Sequence, residues 1–589
     1  MTNTLSSRRF ARQRLLLAYL RPHWRAVLLG VLALFVVNAV GTYLPLLIRQ
    51  IIDDLQVTFV FDQVLRSVLL IGLLASLMWA VRLGSRVAIF GVGRQVEFDL
   101  KQRIFGQLLR LEPAYFTTNT AGDLISRSTS DVDNIRRLVG FALLSFVNTI
   151  FAYALTLPVM LGLDVGLTLA AIAVYPLIML LVQAFSNRLR NEQLQVQQAL
   201  SDLSELVQED MSGIALIKIY AQEENERRAF HHRNQALLAA NLVLAKTRNI
   251  LFPVLGGMAS ISLLVLLWFG SRAIASGAIT VGDFVALLLY VERLIFPTAL
   301  LGFTITAYQR GEVSLDRIES ILQVQPRIAS DPEAVSLERT AIRGKLVAKN
   351  LTVTYPGTTA PALDRVSFQI HPGETVAIVG PVGSGKSTLA NALPRLLEIQ
   401  PGQVFLDEYD ITQIQLRDLR AAIAYVPQDS FLFSTTLKNN IRYGDPLREQ
   451  LEVEQAAKQA QIHAEVLNFP QIYETLVGER GITLSGGQRQ RTALARALLV
   501  EAPILILDDA LSSVDNQTAT AILQALASGS DRKTVIFISH QLSAAAIADQ
   551  ILVMDRGKIV QSGAHDALIH QPGLYQTLWN HQKLEAVLQ

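Results

Sequence analysis

The run Gly380-Pro381-Val382-Gly383-Ser384-Gly385-Lys386-Ser387-Thr388 has the residue types that hold a phosphate chain. Glycines allow close backbone approach, Lys386 suits the β- and γ-phosphates, and the Ser387 hydroxyl suits Mg²⁺. The run follows an apolar segment, Glu374 to Val379, and is expected to open a helix near Ser387, whose N-terminus would also face the anion. The alternative is a tight strand-to-helix turn that binds nothing, which does not by itself call for the complete pattern. Further along, Leu484 to Asp515 (LSGGQRQRTALARALLVEAPILILDDALSSVD) sets a glycine-rich turn before a buried strand ending in two aspartates, Asp508 and Asp509.

These residues need a scaffold, and composition indicates two unlike halves. The chain has 589 residues, too many for one core. Hydrophobic residues make up 51% and charged residues 17%, and the mean hydropathy is +0.33, too apolar for an ordinary soluble enzyme. A net charge of +2 gives no reason to expect a nucleic-acid partner. With no cysteine, disulfides, thiolate metal sites and cysteine nucleophiles are excluded. The N-terminal MTNTLSSRRFARQRLLLAYLRPHWR is basic and lacks a short apolar core with a cleavage site, so it reads as an interfacial helix rather than a signal peptide.

Six apolar runs are long enough to span a bilayer: 26–48, one from about Ser67, then 138–163, 165–186, 249–271 and 284–308. The intervals near 94–137 and 188–248 are helical in pattern and rich in arginine and lysine, whereas the other connections are short and carry Asp53, Asp54, Asp62 and Asp164. The positive-inside bias therefore puts both long intervals, the N-terminus and the C-terminal half in the cytoplasm of a multi-pass protein of the inner (plasma) membrane. Within the spans, Arg82, Arg86, Glu292 and Arg293 are costly in lipid and should face a cavity, a partner helix or the interface. A structural pair or a snorkelling side chain is the simpler reading of each. Pro45, Pro158, Pro176, Pro253 and Pro297 could kink their spans.

The expected organisation is a transmembrane domain of six helices at 1–308, a polar linker at 309–345 and an α/β P-loop NTPase domain at 346–589. LVAKNLTVTY, ALDRVSFQI, ETVAIVG, AAIAYV, PILILDD and KTVIFISH read as its strands. GPVGSGKST, the Gln428 of YVPQDSFLF, LSGGQRQR, ILILDD, SSVD and the His540 of ISH occur in the order of ATP-binding cassette domains. With six spans ahead of them, the chain resembles half-size ABC exporters along nearly its whole length. Gly122 to Asp133 and Gln208 to Glu224 resemble the loops that couple the two halves of that family, and Phe431-Leu432-Phe433 could grip such a loop.

The resemblance implies roles for individual residues. Tyr355 would stack on adenine. Gln428 would contact Mg²⁺ and the attacking water, Asp508 would hold the magnesium through water, and His540 would contact the γ-phosphate. Ser485, Gly486, Gly487 and Gln488 would touch the γ-phosphate of ATP held by an opposite subunit, although a helix cap is the simpler view of Ser485. Two such chains would therefore sandwich two ATP molecules. At the water-activating position the family usually carries glutamate, and this chain has Asp509. A carboxylate one methylene short combined with an intact signature resembles the slow-hydrolysis half of heterodimeric multidrug exporters. A heterodimer is favoured over a homodimer, and the implied cargo is a small hydrophobic or amphipathic compound. The competing reading is an ATP-gated channel or regulatory subunit with little hydrolysis of its own.

Overall fold

The computed structural model describes residues 12, 14–57, 60–478, 481–527 and 532–588, in two compact units. Unit 1 takes 1–109 and 120–324; unit 2 takes 110–119 and 325–589. Residues 1–11 and 13 of the expected interfacial helix lie outside the described residues.

Among the described residues, unit 1 contains six helices long and apolar enough to cross a membrane: Arg14–Gln56, Phe61–Leu108, Ala121–Leu163, Val165–Ser212, Glu223–Ala275 and Val281–Leu322. At 42 to 53 residues each, they far exceed the roughly 20 that a bilayer requires. Buried Tyr290, Leu287, Leu294 and Ile178 form part of the core. Two tyrosine hydroxyls there donate to backbone carbonyls, Tyr290 to Thr42 O at 2.6 Å and Tyr175 to Val291 O at 2.7 Å. Pro45, Pro158, Pro253 and Pro297 lie inside helices, whereas Pro176 stands in the first turn of Tyr175–Ser212. The fourth span is interrupted just before it, so the proline sits where a helix needs no N–H donor.

The sixth helix runs on to Leu322, into the stretch where the sequence turns polar. Gly311, Ser314, Leu315, Ile318 and Ile321 are its buried positions there, a helical period that keeps a polar segment packed on one face. The same stretch holds the segment Gly122 to Asp133. Arg317 pairs with Asp123 at 2.6 Å and with Asp131 at 3.1 Å, and Ser314 Oγ donates to Asp131 Oδ1 at 2.8 Å. That segment thus belongs to unit 1, while the short helix Pro113–Thr118 just before it belongs to unit 2. Within unit 2, the Arg327 backbone N–H donates to Glu112 Oε2 at 3.3 Å.

Among its described residues unit 2 has ten strands: β1 (Leu346–Val353), β2 (Leu363–Ile370), β3 (Thr375–Val379), β4 (Val404–Leu406), β5 (Tyr409–Asp410), β6 (Ile423–Val426), β7 (Ile504–Asp508), β8 (Thr534–Ile538), β9 (Gln550–Asp555) and β10 (Lys558–Gly563). One sheet has the order β2-β1-β4-β5 and the other β10-β9-β3-β8-β7-β6. In the second sheet β9, β3, β8, β7 and β6 are parallel, and β3, β7 and β8 are buried at every residue. Strands covered on both faces read as unbroken apolar runs, which is why the sequence reveals them. The unexpected strands are β4 and β5, too short to show a pattern, and the β9–β10 hairpin.

Candidate nucleotide site

Strand register gathers the motifs on one edge of the parallel sheet. Ile378 of β3 and Asp508 of β7 both pair with Ile538 of β8, and Val426 of β6 pairs with Leu507 of β7. The residues that follow those strand ends are the loop 380–385, Asp509, Ser539-His540 and Pro427-Gln428. All therefore emerge at the carboxyl edge, where open α/β sheets bind ligands.

The phosphate loop is built around close approaches. Gly385, with φ +98°, caps the helix Lys386–Ala392, and a Cβ there would lie 2.7 Å from Ala362 O. Lys386 Nζ donates to Gly380 O at 2.9 Å and to Pro381 O at 2.8 Å. Burial lowers the Lys386 pKa, opposed by the charges of Asp509 and Asp508. Ser384 Oγ is buried with no hydrogen-bond partner among the described residues, a polar group that an anion in the loop could satisfy. The Tyr355 hydroxyl lies 3.2 Å from Thr388 Oγ1, which places the half-exposed ring beside the helix start.

Asp508 is 3% exposed and held from two sides. Ser387 Oγ donates to its Oδ1 at 2.8 Å, and the Tyr425 hydroxyl lies 3.1 Å from its Oδ2 and 2.8 Å from Asn391 Oδ1. Burial and the Asp508 charge push the Tyr425 pKa up, so the phenol stays a donor. Tyr425 escaped the sequence reading because, inside the apolar AIAYV, it looks like another core aromatic. Asp509 adopts φ +49°, which aspartate tolerates better than most residues. Together with His540 and Ser512 it lines a cavity of about 130 Å³. Burial raises the Asp509 pKa, His540 and Lys386 pull it down, and Asp508 pushes it up. Gln428 is exposed on the same edge and makes no hydrogen bond among the described residues.

The signature residues form a different surface. Ser485 and Gln488 make a reciprocal capping box, Ser485 Oγ accepting from Gln488 N at 3.2 Å and Gln488 Oε1 from Ser485 N at 3.0 Å. The capping view of Ser485 is therefore realised locally, at the start of the helix Gly486–Leu499. Gly487 lies against the loop after β7: a Cβ would sit 2.7 Å from Ser513 O. Buried Gln490 ties the two together, donating to Ser512 Oγ at 3.0 Å and accepting from Ser513 N at 2.8 Å. Among the described residues no hydrogen bond or ion pair links Ser485–Gln488 to the loop 380–388 of the same chain. Phe431 and Phe433 are partly exposed in edge-to-face contact, while Leu432 between them is buried.

Comparison with known proteins agrees with this geometry. The ABC transporter transmembrane region family matches residues 27–298, and the ABC transporter family matches 363–512. The multidrug resistance-like ATP-binding protein MdlA of Escherichia coli is 34% identical over 574 residues, covering 97% of this chain and 96% of that protein. An ATP-dependent lipid A-core flippase of Thiobacillus denitrificans is 34% identical over 565 residues, covering 96% and 97%. The structure of a bacterial Atm1-family ABC exporter with ATP bound superimposes with a TM-score of 0.78 at 26% identity, covering 95% of this chain and 99% of that one. The chain belongs to the half-size ABC exporters, multi-pass membrane proteins that dimerise and couple ATP hydrolysis to export.

Proposed function

We propose that this chain is the slow-hydrolysis half of a heterodimeric exporter that moves hydrophobic or amphipathic compounds out of the inner (plasma) membrane or the cytoplasm. Its nucleotide-binding unit faces the cytoplasm. The observation that carries this reading is the contrast between Asp509, shorter than the family's glutamate, and a signature turn that is fully built. The names of the relatives, multidrug resistance-like and lipid A-core flippase, suit a cargo with an apolar body.

In this reading Tyr355 stacks on adenine, while Lys386 and the N–H groups of Gly380, Gly383, Ser384, Gly385, Ser387 and Thr388 cradle the phosphates. Asp509 accepts a proton from water with His540 beside it. Ser485, Gly486, Gly487 and Gln488 serve the ATP of the partner. Ser387, Gln428 and, through water, Asp508 would hold Mg²⁺, which when bound neutralises charge on the β- and γ-phosphates. The donors fit that ion: all are oxygens, and Asp508 is oriented by two hydroxyls. Among the described residues no cluster of three acidic, histidine or cysteine side chains forms a metal cage, and magnesium on a nucleotide needs none. Nucleotide-driven closure then shifts the spans between inward- and outward-facing states.

Tyr425→Phe removes the hydroxyl beside Asp508 at a cost of about 1 kcal/mol, so magnesium-dependent turnover should fall severalfold. Metal-free nucleotide affinity should stay the same. Titrating ATPase rate against Mg²⁺ for both proteins checks this, and superimposable curves would remove Tyr425 from the site.

The pairing is tested by purifying the chain alone. Slow ATPase that accelerates when a glutamate-bearing half-transporter is added supports a heterodimer. Brisk, drug-stimulated hydrolysis by the chain alone overturns it. Vanadate-sensitive uptake into inverted vesicles separates an exporter from an ATP-gated channel, which would give conductance without uphill transport.

A further inference from the structure

The four charged residues that the sequence marks as costly in lipid come together in unit 1. Arg82, Arg86, Glu292 and Arg293 line one cavity of about 480 Å³ between the first, second, third and sixth spans, with Asn38 and Asn148 on its wall. Its depth follows from the sixth helix. That helix begins at Val281 in a polar cluster, where Arg49 pairs with Asp283 at 2.7 Å and Asp53 accepts from Thr280 Oγ1 at 2.9 Å. Arg293 lies roughly 18 Å further along at 1.5 Å per residue, well inside a hydrocarbon core about 30 Å thick.

The cavity is built for its arginines, yet they are not neutralised. Arg293 Nη2 donates to Asn38 O at 3.0 Å and to Asn38 Oδ1 at 3.3 Å, and Asn38 is held in turn by Asn148 Oδ1 at 3.1 Å. Gly41 makes room for the guanidinium: a Cβ there would lie 2.2 Å from Arg293 Nη1. Arg82 hydrogen-bonds only to Met78 Sδ, at 3.8 Å, and Arg86 makes no hydrogen bond or ion pair among the described residues. Glu292 shares the cavity without forming an ion pair to any of the three. Uncompensated guanidinium groups at this depth are expensive unless something anionic meets them.

A second cavity, of about 600 Å³, continues along the same two helices. The third span contributes Leu144–Ala152 to the first cavity and Asn134–Phe141 to the second; the sixth contributes Leu289–Leu300 and then Phe303–Arg310. The second is lined by Arg137, Arg190 and Arg310 and by no acidic residue. A π-helical turn, Leu138–Ala142, carries Phe141 of the second cavity and ends just before Leu144 of the first, a backbone irregularity common at functional sites. Arginines near one membrane face would mean little alone, because the positive-inside bias puts them there. Their continuation to Arg293 needs another explanation.

We propose that the exported compound is an amphipathic anion, its phosphate or other acidic headgroup passed along this arginine-lined track while its apolar body stays against the spans. The assignment rests on the export reading above and narrows it. Amphiphiles with cationic headgroups are disfavoured, because the cavity holding Arg293 has three cations to one carboxylate.

Equilibrium binding to the full chain in phosphatidylcholine nanodiscs tests this with three twelve-carbon probes: dodecyl phosphate, dodecyl maltoside and dodecyltrimethylammonium. Dodecyl phosphate should bind roughly tenfold or more tightly than the others. R82Q/R86Q should lose that advantage, and R82K/R86K should keep most of it, which separates a lost charge from a damaged fold. Excess inorganic phosphate should fail to displace the probe; full displacement would mean that the site takes free phosphate, and would overturn the amphiphile assignment. Equal affinity for all three headgroups, or an unaltered R82Q/R86Q, would overturn it as well. ATP-driven uptake of a cationic or neutral compound but not of dodecyl phosphate sinks this inference alone, whereas absence of ATP-driven uptake of any compound sinks the export reading beneath it.

Discussion

An Asp509→Glu variant is expected to hydrolyse ATP up to about a hundredfold faster at its own site than the parent chain does. Asp509 leaves β7 with a left-handed φ of +49° and reaches the cavity it shares with His540 with one methylene fewer than the family's glutamate. A shortfall of about 1 Å in a proton acceptor can cost two orders of magnitude, because the water must be held at attacking distance. Burial raises the Asp509 pKa, so its deprotonated form is lost, as pH falls, at a higher pH than for an ordinary aspartate. The acid limb of the parent's pH–rate profile should be displaced upward accordingly. Single-turnover hydrolysis in the assembled dimer, with the partner's site inactivated, is the measurement. An unchanged rate would show that carboxylate length does not limit this site and would remove the basis for calling it the slow half.

Lys386→Ala is expected to lower turnover at this site by about a thousandfold, the upper range for deleting one charged stabiliser of a developing anion. The ammonium is already inside the loop, held by the Gly380 and Pro381 carbonyls, with Asp508 and Asp509 close enough to influence its pKa. A bound phosphate chain would take over those hydrogen bonds. Lys386→Arg should not rescue the loss: the side chain is 6% exposed, and the larger planar guanidinium does not fit a cradle shaped for a point charge. ATPase rate and nucleotide affinity, measured for both variants beside their unfolding temperatures, check the claim. Retention of turnover within about tenfold of wild type by Lys386→Ala would exclude Lys386 from phosphate stabilisation.

Much of the nucleotide-binding unit was legible because its chemistry is local. A phosphate loop works through consecutive backbone N–H groups and one helix start, so Gly380 to Thr388 carry it in nine adjacent letters. The fully buried strands β3, β7 and β8 appear as apolar runs for a similarly local reason. Tyr425 and Gln490 were missed because each acts on partners distant in sequence, Asp508 for the first and the Ser512 hydroxyl and Ser513 N–H for the second. The helical continuation to Leu322 was obscured because a half-polar face hides the period of its buried positions.

Amino-acid order alone settled the two unlike halves, the six spans, the nucleotide-binding class and the shortened carboxylate at Asp509, since each depends on residue type at fixed short spacing. Tertiary structure decided what those residues meet. Parallel register brought Asp509 and His540 to one cavity, and helix packing gathered Arg82, Arg86 and Arg293 from two different spans. The physical reason is the same in both cases. A charge in lipid shows in one dimension as a cost, but whether it is neutralised or left to meet a ligand depends on neighbours that only long-range packing supplies.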